Sequence, residues 1–160
     1  LTPEAVQFET AAHGKPFLTA AQNHLGLKYN LSHTQGCCLI AISREVELGI
    51  DVERVDRKLE YISLAKHYFH PEELAFLTSF SQAEQQAAFF YLWTRKEAYT
   101  KAIGLGLRYS LNQFSIVDKL LDSKQSDIFQ LLSFDVETGY IGALAAKNDA
   151  MKPIFFEITQ

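Results

Sequence analysis

Two pairs of charged side chains stand at spacings that chemistry can use. Glu97 and Lys101 are four residues apart in the stretch Phe89 to Leu107, which carries a strong helix. At about 100° per residue, Phe90, Trp93, Glu97 and Lys101 fall on one face within roughly 80°. An aromatic stripe therefore leads into a carboxylate and then an ammonium. Lining a cleft, Glu97 can bind a cation and Lys101 a phosphate; on an open surface the same two groups are an intrahelical ion pair worth about 0.2–0.5 kcal/mol. Asp51 and Glu53 are two residues apart in Leu48-Gly49-Ile50-Asp51-Val52-Glu53, where the alternation predicts a strand with Ile50 and Val52 on one face and both carboxylates on the other. Spaced about 7 Å along the strand, the two acids either hold one hard cation between them or form the wet side of a half-exposed strand. Mg²⁺ takes one or two carboxylates and completes its shell with water and phosphate, so a sparse acidic pair suits it better than a calcium cage does.

The elements that must position these groups are legible around them. Ser81 followed by Glu84 has the spacing of a capping box and predicts that the central helix starts near Gln82; Gly104, free to adopt positive φ, ends it. Upstream, Gly14-Lys15-Pro16 is a turn presenting one basic side chain, and Gln35-Gly36 is a second turn. Cys37 to Ile42 reads as a short buried strand, its two adjacent cysteines being small core residues on opposite faces. Arg54, Arg57 and Lys58 form a basic cluster ahead of a helical pattern from Tyr61 to Phe69, in which Ile62, Ala65 and Phe69 make one stripe and Tyr61, Leu64 and Tyr68 another. Pro71, with Glu72 and Glu73 after it, opens a further short helix. Beyond Leu107 the pattern predicts strands at Phe114 to Val117, Ile128 to Phe134, Tyr140 to Ala146 and Ile154 to Ile158, with a turn at Glu137-Thr138-Gly139.

Composition narrows the class. The 160 residues are 48% hydrophobic, ample for a core, and the net charge of -4 argues against a general nucleic-acid surface. The longest apolar run is far too short to span a bilayer and no signal segment opens the chain, so the expected location is the cytoplasm, with no membrane partner.

Taken in order, Gly14-Lys15-Pro16, Asn30-Leu31-Ser32-His33, Gly49-Ile50-Asp51-Val52-Glu53, Phe69-His70-Pro71-Glu72-Glu73 and Trp93-Thr94-Arg95-Lys96-Glu97-Ala98-Tyr99-Thr100-Lys101 leading into Gly104-Leu105-Gly106-Leu107 closely resemble the motifs of 4'-phosphopantetheinyl transferases of the surfactin-synthetase-activating type. The resemblance implies an α+β fold of two similar halves related by a pseudo-twofold, divided here into residues 1–50 and 51–160 without a flexible linker. It implies transfer of the phosphopantetheine arm of coenzyme A to a serine of an acyl or peptidyl carrier protein, a holo-acyl-carrier-protein synthase activity that releases adenosine 3',5'-bisphosphate. It further implies Mg²⁺ held by Asp51, Glu53 and Glu97, and coenzyme A phosphates held by Lys101 and His33, with Ser32 and Lys15 helping at the nucleotide end. Glu97 and Lys101 would be the catalytic pair, and the intact set of Asp51, Glu53, Glu97, Lys96 and Lys101 favours retained catalysis. The carrier protein, generally acidic, is expected to dock on Arg54, Arg57 and Lys58 with Tyr61, Ile62 and Leu64 as apolar anchors. A non-catalytic module binding carrier protein or coenzyme A is the second reading, and a Mg²⁺-dependent phosphohydrolase the third.

Family members of this type have a longer first half, whereas fifty residues precede Asp51 here and the chain opens on Leu1. The expectation is a truncated first half, weaker coenzyme A binding, and self-association through uncovered apolar surface in a protein that would be a monomer when complete.

Overall fold

The computed structural model describes residues 2–44, 46–56, 58–106, 109–117, 129–147 and 152–158. The architecture is mixed α+β. Short strands β1 (Phe8–Thr10) and β2 (Pro16–Leu18) pair as a small antiparallel ribbon. They are followed by the hairpin of β3 (Lys28–Thr34) and β4 (Cys37–Ser43), which turns at Gln35-Gly36, and then by strand β5 (Leu48–Arg54). Helices α1 (Tyr61–Tyr68), α2 (Pro71–Thr78) and α3 (Gln82–Ala102) come next, and a second hairpin, β6 (Gln130–Glu137) and β7 (Tyr140–Ala146), completes an antiparallel sheet in the order β5-β7-β6. Because β5 begins at Leu48, its sheet takes in three residues ahead of position 51.

Helix α3 has both of its ends specified locally. At the start, the Ser81 backbone N–H donates to Glu84 Oε2 at 3.1 Å and the Ser81 hydroxyl donates to the same carboxylate at 2.6 Å. At the end, Gly104 has φ +75°, its N–H donating to Lys101 O and that of Leu105 to Thr100 O. This is the double bond pattern of a glycine-terminated helix, which satisfies the last free carbonyls. The helix therefore stops one turn beyond Glu97, with Lys101 in its last turn.

One close approach fixes α3 on the sheet. A Cβ built on Gly49 would lie 2.2 Å from Ala98 O and 2.3 Å from Ala102 N, so the helix backbone rests directly on the β5 backbone there. The odd residues of β5 consequently face α3. On the even side, Leu48 and Ile50 cluster with Leu144 and Ala146 against Leu39 and Ala41 of the β4 strand. The main core lies at the other end of α3, where Phe89, Phe90 and Leu92 pack with Ala65, Phe69, Leu77 and Ile116. Phe69 and Trp93 both stack on Phe89, with centroids 5.3 and 5.6 Å away.

Three strand expectations are corrected. Phe114 to Val117 is not a strand: the Phe114 carbonyl accepts from Lys96 Nζ at 2.8 Å and the Ile116 N–H donates to Glu73 Oε1 at 2.9 Å, so its backbone groups are already engaged by a buried ion pair. Ile154 to Ile158 forms no regular structure and is exposed, touching the sheet through Phe155 on Phe134. Cys37 to Ile42 is a strand, but Cys38, Ile40 and Ile42 are exposed rather than buried, on a face they share with Leu31. The cysteines are both free, Cys37 half-buried and Cys38 exposed.

Candidate active site

Asp51 is the centre of the site, and three elements converge on it. It is buried, not on a wet face, since α3 lies over the odd side of β5. Its Oδ1 accepts from Lys101 Nζ at 2.7 Å and from Ser32 Oγ at 2.8 Å. Lys101 donates in addition to Ser32 Oγ at 3.0 Å and to Ile50 O at 3.1 Å, which uses the three protons of its ammonium. The opposite oxygen, Asp51 Oδ2, is buried with no hydrogen-bond partner among the described residues.

Strand β3 meets β5 without a backbone ladder. In its place, Asn30 Oδ1 accepts from the Ile50 N–H at 2.8 Å and Ser32 Oγ accepts from the Val52 N–H at 3.3 Å. Both side chains are buried and stand on the same face of β3. They act as rungs that satisfy the outward N–H groups of Ile50 and Val52, the intervening residue facing β7. Asn30 carries no chemistry that its residue type advertises, and sequence reading gave it no role; the available signal was its place in the motif Asn30-Leu31-Ser32-His33, two residues before Ser32.

Glu97 stands one helical turn before Lys101 and its carboxyl is pushed up to about 7, first by burial and next by the charge of Asp51, with Glu53 adding a smaller push and Lys101 opposing them. Asp51 and Glu53 thus both lie close enough to repel a charge on Glu97. The three carboxylates are not drawn into a ligating cluster: among the described residues no group of three or more His, Cys, Asp or Glu side chains is arranged to hold a metal ion. The ammonium of Lys101 occupies the Oδ1 side of Asp51 instead. The donor set nevertheless fits a hard cation, because it offers oxygens only and includes one buried carboxylate oxygen with no other partner.

Beside this centre lies a cavity of about 220 Å³ lined by Gly14, Lys15, Pro16, Asn30, Leu31, Lys101 and Gly104 among others. Lys15 reaches it from the predicted turn, donating to Leu48 O at 2.9 Å and pairing with Glu47 at 3.4 Å, and burial holds its ammonium below the usual lysine range. Two ammonium groups thus border one pocket. Ser32 is buried at the centre itself, whereas His33, on the opposite and exposed side of β3, is not among the residues that line the cavity.

Lys96, grouped with the catalytic set in sequence, lies elsewhere. It is fully buried and donates to Glu73 at 2.7 Å, to Phe114 O at 2.8 Å, and sits 4.0 Å from the centre of the Phe114 ring. The Glu73 carboxylate also takes the N–H groups of Ile116 and His70. This pair joins α2, α3 and the segment after α3; its role is architectural.

Of the residues expected to dock a carrier protein, Arg54 is paired with Asp56 and donates to Gln35 at 3.1 Å, and Lys58 is exposed. Tyr61, Ile62 and Leu64 are half-buried against the main core, so most of their apolar surface already faces Phe89 and its neighbours. Arg57 lies outside the described residues. Among the described residues no helix is long and apolar enough to cross a membrane.

Comparison with known sequences points the same way. The sequence profile described as the 4'-phosphopantetheinyl transferase superfamily matches residues 47–144. The chain is 40% identical over 105 residues to the 4'-phosphopantetheinyl transferase HetI of a Nostoc species, covering 66% of this chain and 44% of that protein. It is 37% identical over 113 residues to the 4'-phosphopantetheinyl transferase gsp of Aneurinibacillus migulanus (71% and 44%), and 28% identical over 150 residues to the 4'-phosphopantetheinyl transferase Sfp of Bacillus subtilis strain 168 (89% and 64%). Against the first two, the chain spans less than half of the relative's length.

Proposed function

The chain belongs to the 4'-phosphopantetheinyl transferase superfamily, and on that premise we propose that it carries the metal and phosphate centre for moving the phosphopantetheine arm of coenzyme A onto a carrier-protein serine. The observation that carries this reading is the meeting of Lys101 and Ser32 on one oxygen of Asp51 while the other stays buried and unpartnered beside Glu97.

Asp51, Glu53 and Glu97 would hold Mg²⁺, which when bound neutralises charge on the pyrophosphate of coenzyme A. The remaining work falls to the chain. Lys15 and Lys101 border the cavity that would take the phosphates; the three protons of Lys101 are spent on Asp51, Ser32 and Ile50, so its fixed positive charge, rather than a free N–H, would face charge developing on a phosphoryl oxygen. The carrier serine oxygen forms a bond to the phosphorus that bears the pantetheine arm. The bond from that phosphorus to the bridging oxygen breaks, and its electron pair leaves with adenosine 3',5'-bisphosphate. Glu97, or a water beside the cation, would take the serine proton. His33 would reach the nucleotide end from the exposed side of β3. The acidic carrier would approach over the segment from Arg54 to Tyr68, where Lys58 supplies exposed positive charge.

Incubating this chain with coenzyme A, Mg²⁺ and a panel of apo carrier proteins, and then weighing the carriers intact, tests the reading. Addition of one phosphopantetheine to at least one carrier is expected. Coenzyme A binding without transfer to any carrier would favour the binding module, and release of phosphate from coenzyme A without transfer would favour a hydrolase.

A further inference from the structure

Arg95 stands on the same helix as Glu97 and Lys101, and the centre described above makes no use of it. It keeps only 4% of its surface in water. A charge buried to that degree is costly unless a counter-charge meets it, and among the described residues none does. Its one hydrogen bond runs from Nη1 to Ser133 Oγ at 3.0 Å, a neutral hydroxyl on β6. Asp51 belongs to the same cross-strand row, through Ala143 to Ser133, but lies two strands or roughly 10 Å away. Asp135, two residues along β6, is exposed and exerts no pull on Arg95.

Ser133 engages one end of the guanidinium and leaves the other. Nε is buried with no partner, and Nη2 donates to no described residue. Those two N–H groups lie side by side and point the same way; they form the edge with which arginine grips a carboxylate or a phosphate through two parallel bonds. The edge is also set in advance. Nη1 is tied to β6, and the guanidinium rests over the Tyr91 ring with Cζ 5.2 Å from its centre. Strand β6 is the outer strand of its sheet, with no strand beyond it among the described residues. From this fixed and unfilled edge we propose that Arg95 forms an anion-binding site at the β6 margin, distinct from the Asp51 centre, for an oxyanion that accepts two parallel N–H bonds, a phosphate or a carboxylate. The proposal needs neither coenzyme A nor a carrier protein, so it stands or falls apart from the transfer activity.

The test reads Arg95 directly. In a chain labelled with nitrogen-15, each arginine gives an Nε–H signal by NMR, and Arg95→Lys identifies the one that belongs to Arg95 by its loss. Inorganic phosphate and acetate are titrated into separate samples in a buffer that holds neither. A saturable shift of the Arg95 signal is expected, and whether phosphate, acetate or both cause it tells which oxyanion the edge takes. No shift with either would overturn the proposal. Thermal melting of Arg95→Met supplies the second measurement. Without anion, the variant is expected to melt at least roughly 2–4 °C above the unaltered chain, because a buried and unpaired charge has been removed. The anion that shifts the signal should then close that gap. Phosphate held by the Lys15 and Lys101 pocket raises both chains alike and cancels in the difference. A variant that melts lower than the unaltered chain without anion, or a gap that the anion leaves unchanged, would show that the charge is already neutralised within the chain and would overturn the proposal.

Discussion

Glu97 is a carboxylate kept at a disadvantage by its surroundings. Its proton affinity is raised from 4.5 to about 7 by folding, so its contribution to stability is fully present below pH 4.5 and is lost as pH rises through 7. The shift corresponds to about 3 kcal/mol between the two limits. Glu97→Gln is therefore expected to melt at a higher temperature than the unaltered chain at pH 8 without metal, and at nearly the same temperature at pH 4. The same variant is expected to lose at least about a hundredfold in transfer rate. A melting difference of equal size at both pH values would show that the carboxylate is not strained by charge and burial. Mg²⁺ should narrow the gap at pH 8, because a cation among the three carboxylates relieves the repulsion that Asp51 and Glu53 exert on Glu97.

At the scale of elements, α3 was the part most legible in sequence. Its start at Gln82 follows from the Ser81–Glu84 pair and its end from Gly104. Both signals are local, so no tertiary contact had to be known. The alternation in β5 likewise reads directly. What sequence could not give is the second side of each residue: that Asp51 is buried under α3, that Ser32 bonds to it across nineteen residues, or that Lys96 turns away to Glu73. The first depends on Gly49, which reads as an ordinary strand glycine until the helix is seen resting on it. Gly49→Ala is expected to lift α3 from β5, because the new methyl would meet backbone atoms that no rotamer change can clear. A loss of several kcal/mol in denaturant unfolding is expected, on the order of that for other overpacked cores or more. The buried pair makes a separate prediction. Lys96→Met leaves the Glu73 carboxylate without its cation and should cost about 3–5 kcal/mol, while Lys96→Met with Glu73→Met should recover much of it. Urea midpoints of the two variants decide between them, and Mg²⁺ affinity should be unchanged in the double variant if the pair is architectural. The failed strand at Phe114 to Val117 belongs to the same feature: its residues suit a strand, yet the Lys96–Glu73 pair claims its backbone groups.

For the molecule as a whole, the surface is uneven. Leu31, Ile40 and Ile42 are exposed side by side on the β3–β4 hairpin, and Ile42 retains 65% of its surface. Contiguous apolar surface of this kind favours association. Sedimentation of the chain is expected to show a mass that rises with concentration, and Ile40→Glu with Ile42→Glu should hold it at the monomer mass; a monomer at all concentrations in both would show that the face is tolerated in water. Charge reversal at exposed Lys58, as Lys58→Glu, should raise KM for the carrier protein and leave KM for coenzyme A in place, since an approaching acidic partner feels it and the cavity does not. An equal change in both constants would place the carrier elsewhere. The side-chain rungs of Asn30 and Ser32 have a further consequence at this scale. An open strand edge recruits strands from other molecules, and β5 would offer one if its N–H groups at Ile50 and Val52 were free. Because those two groups are already taken by side chains, a foreign strand arriving at β5 finds the central donors of the edge engaged, and the polar residues that organise the centre also hinder fibril growth from it.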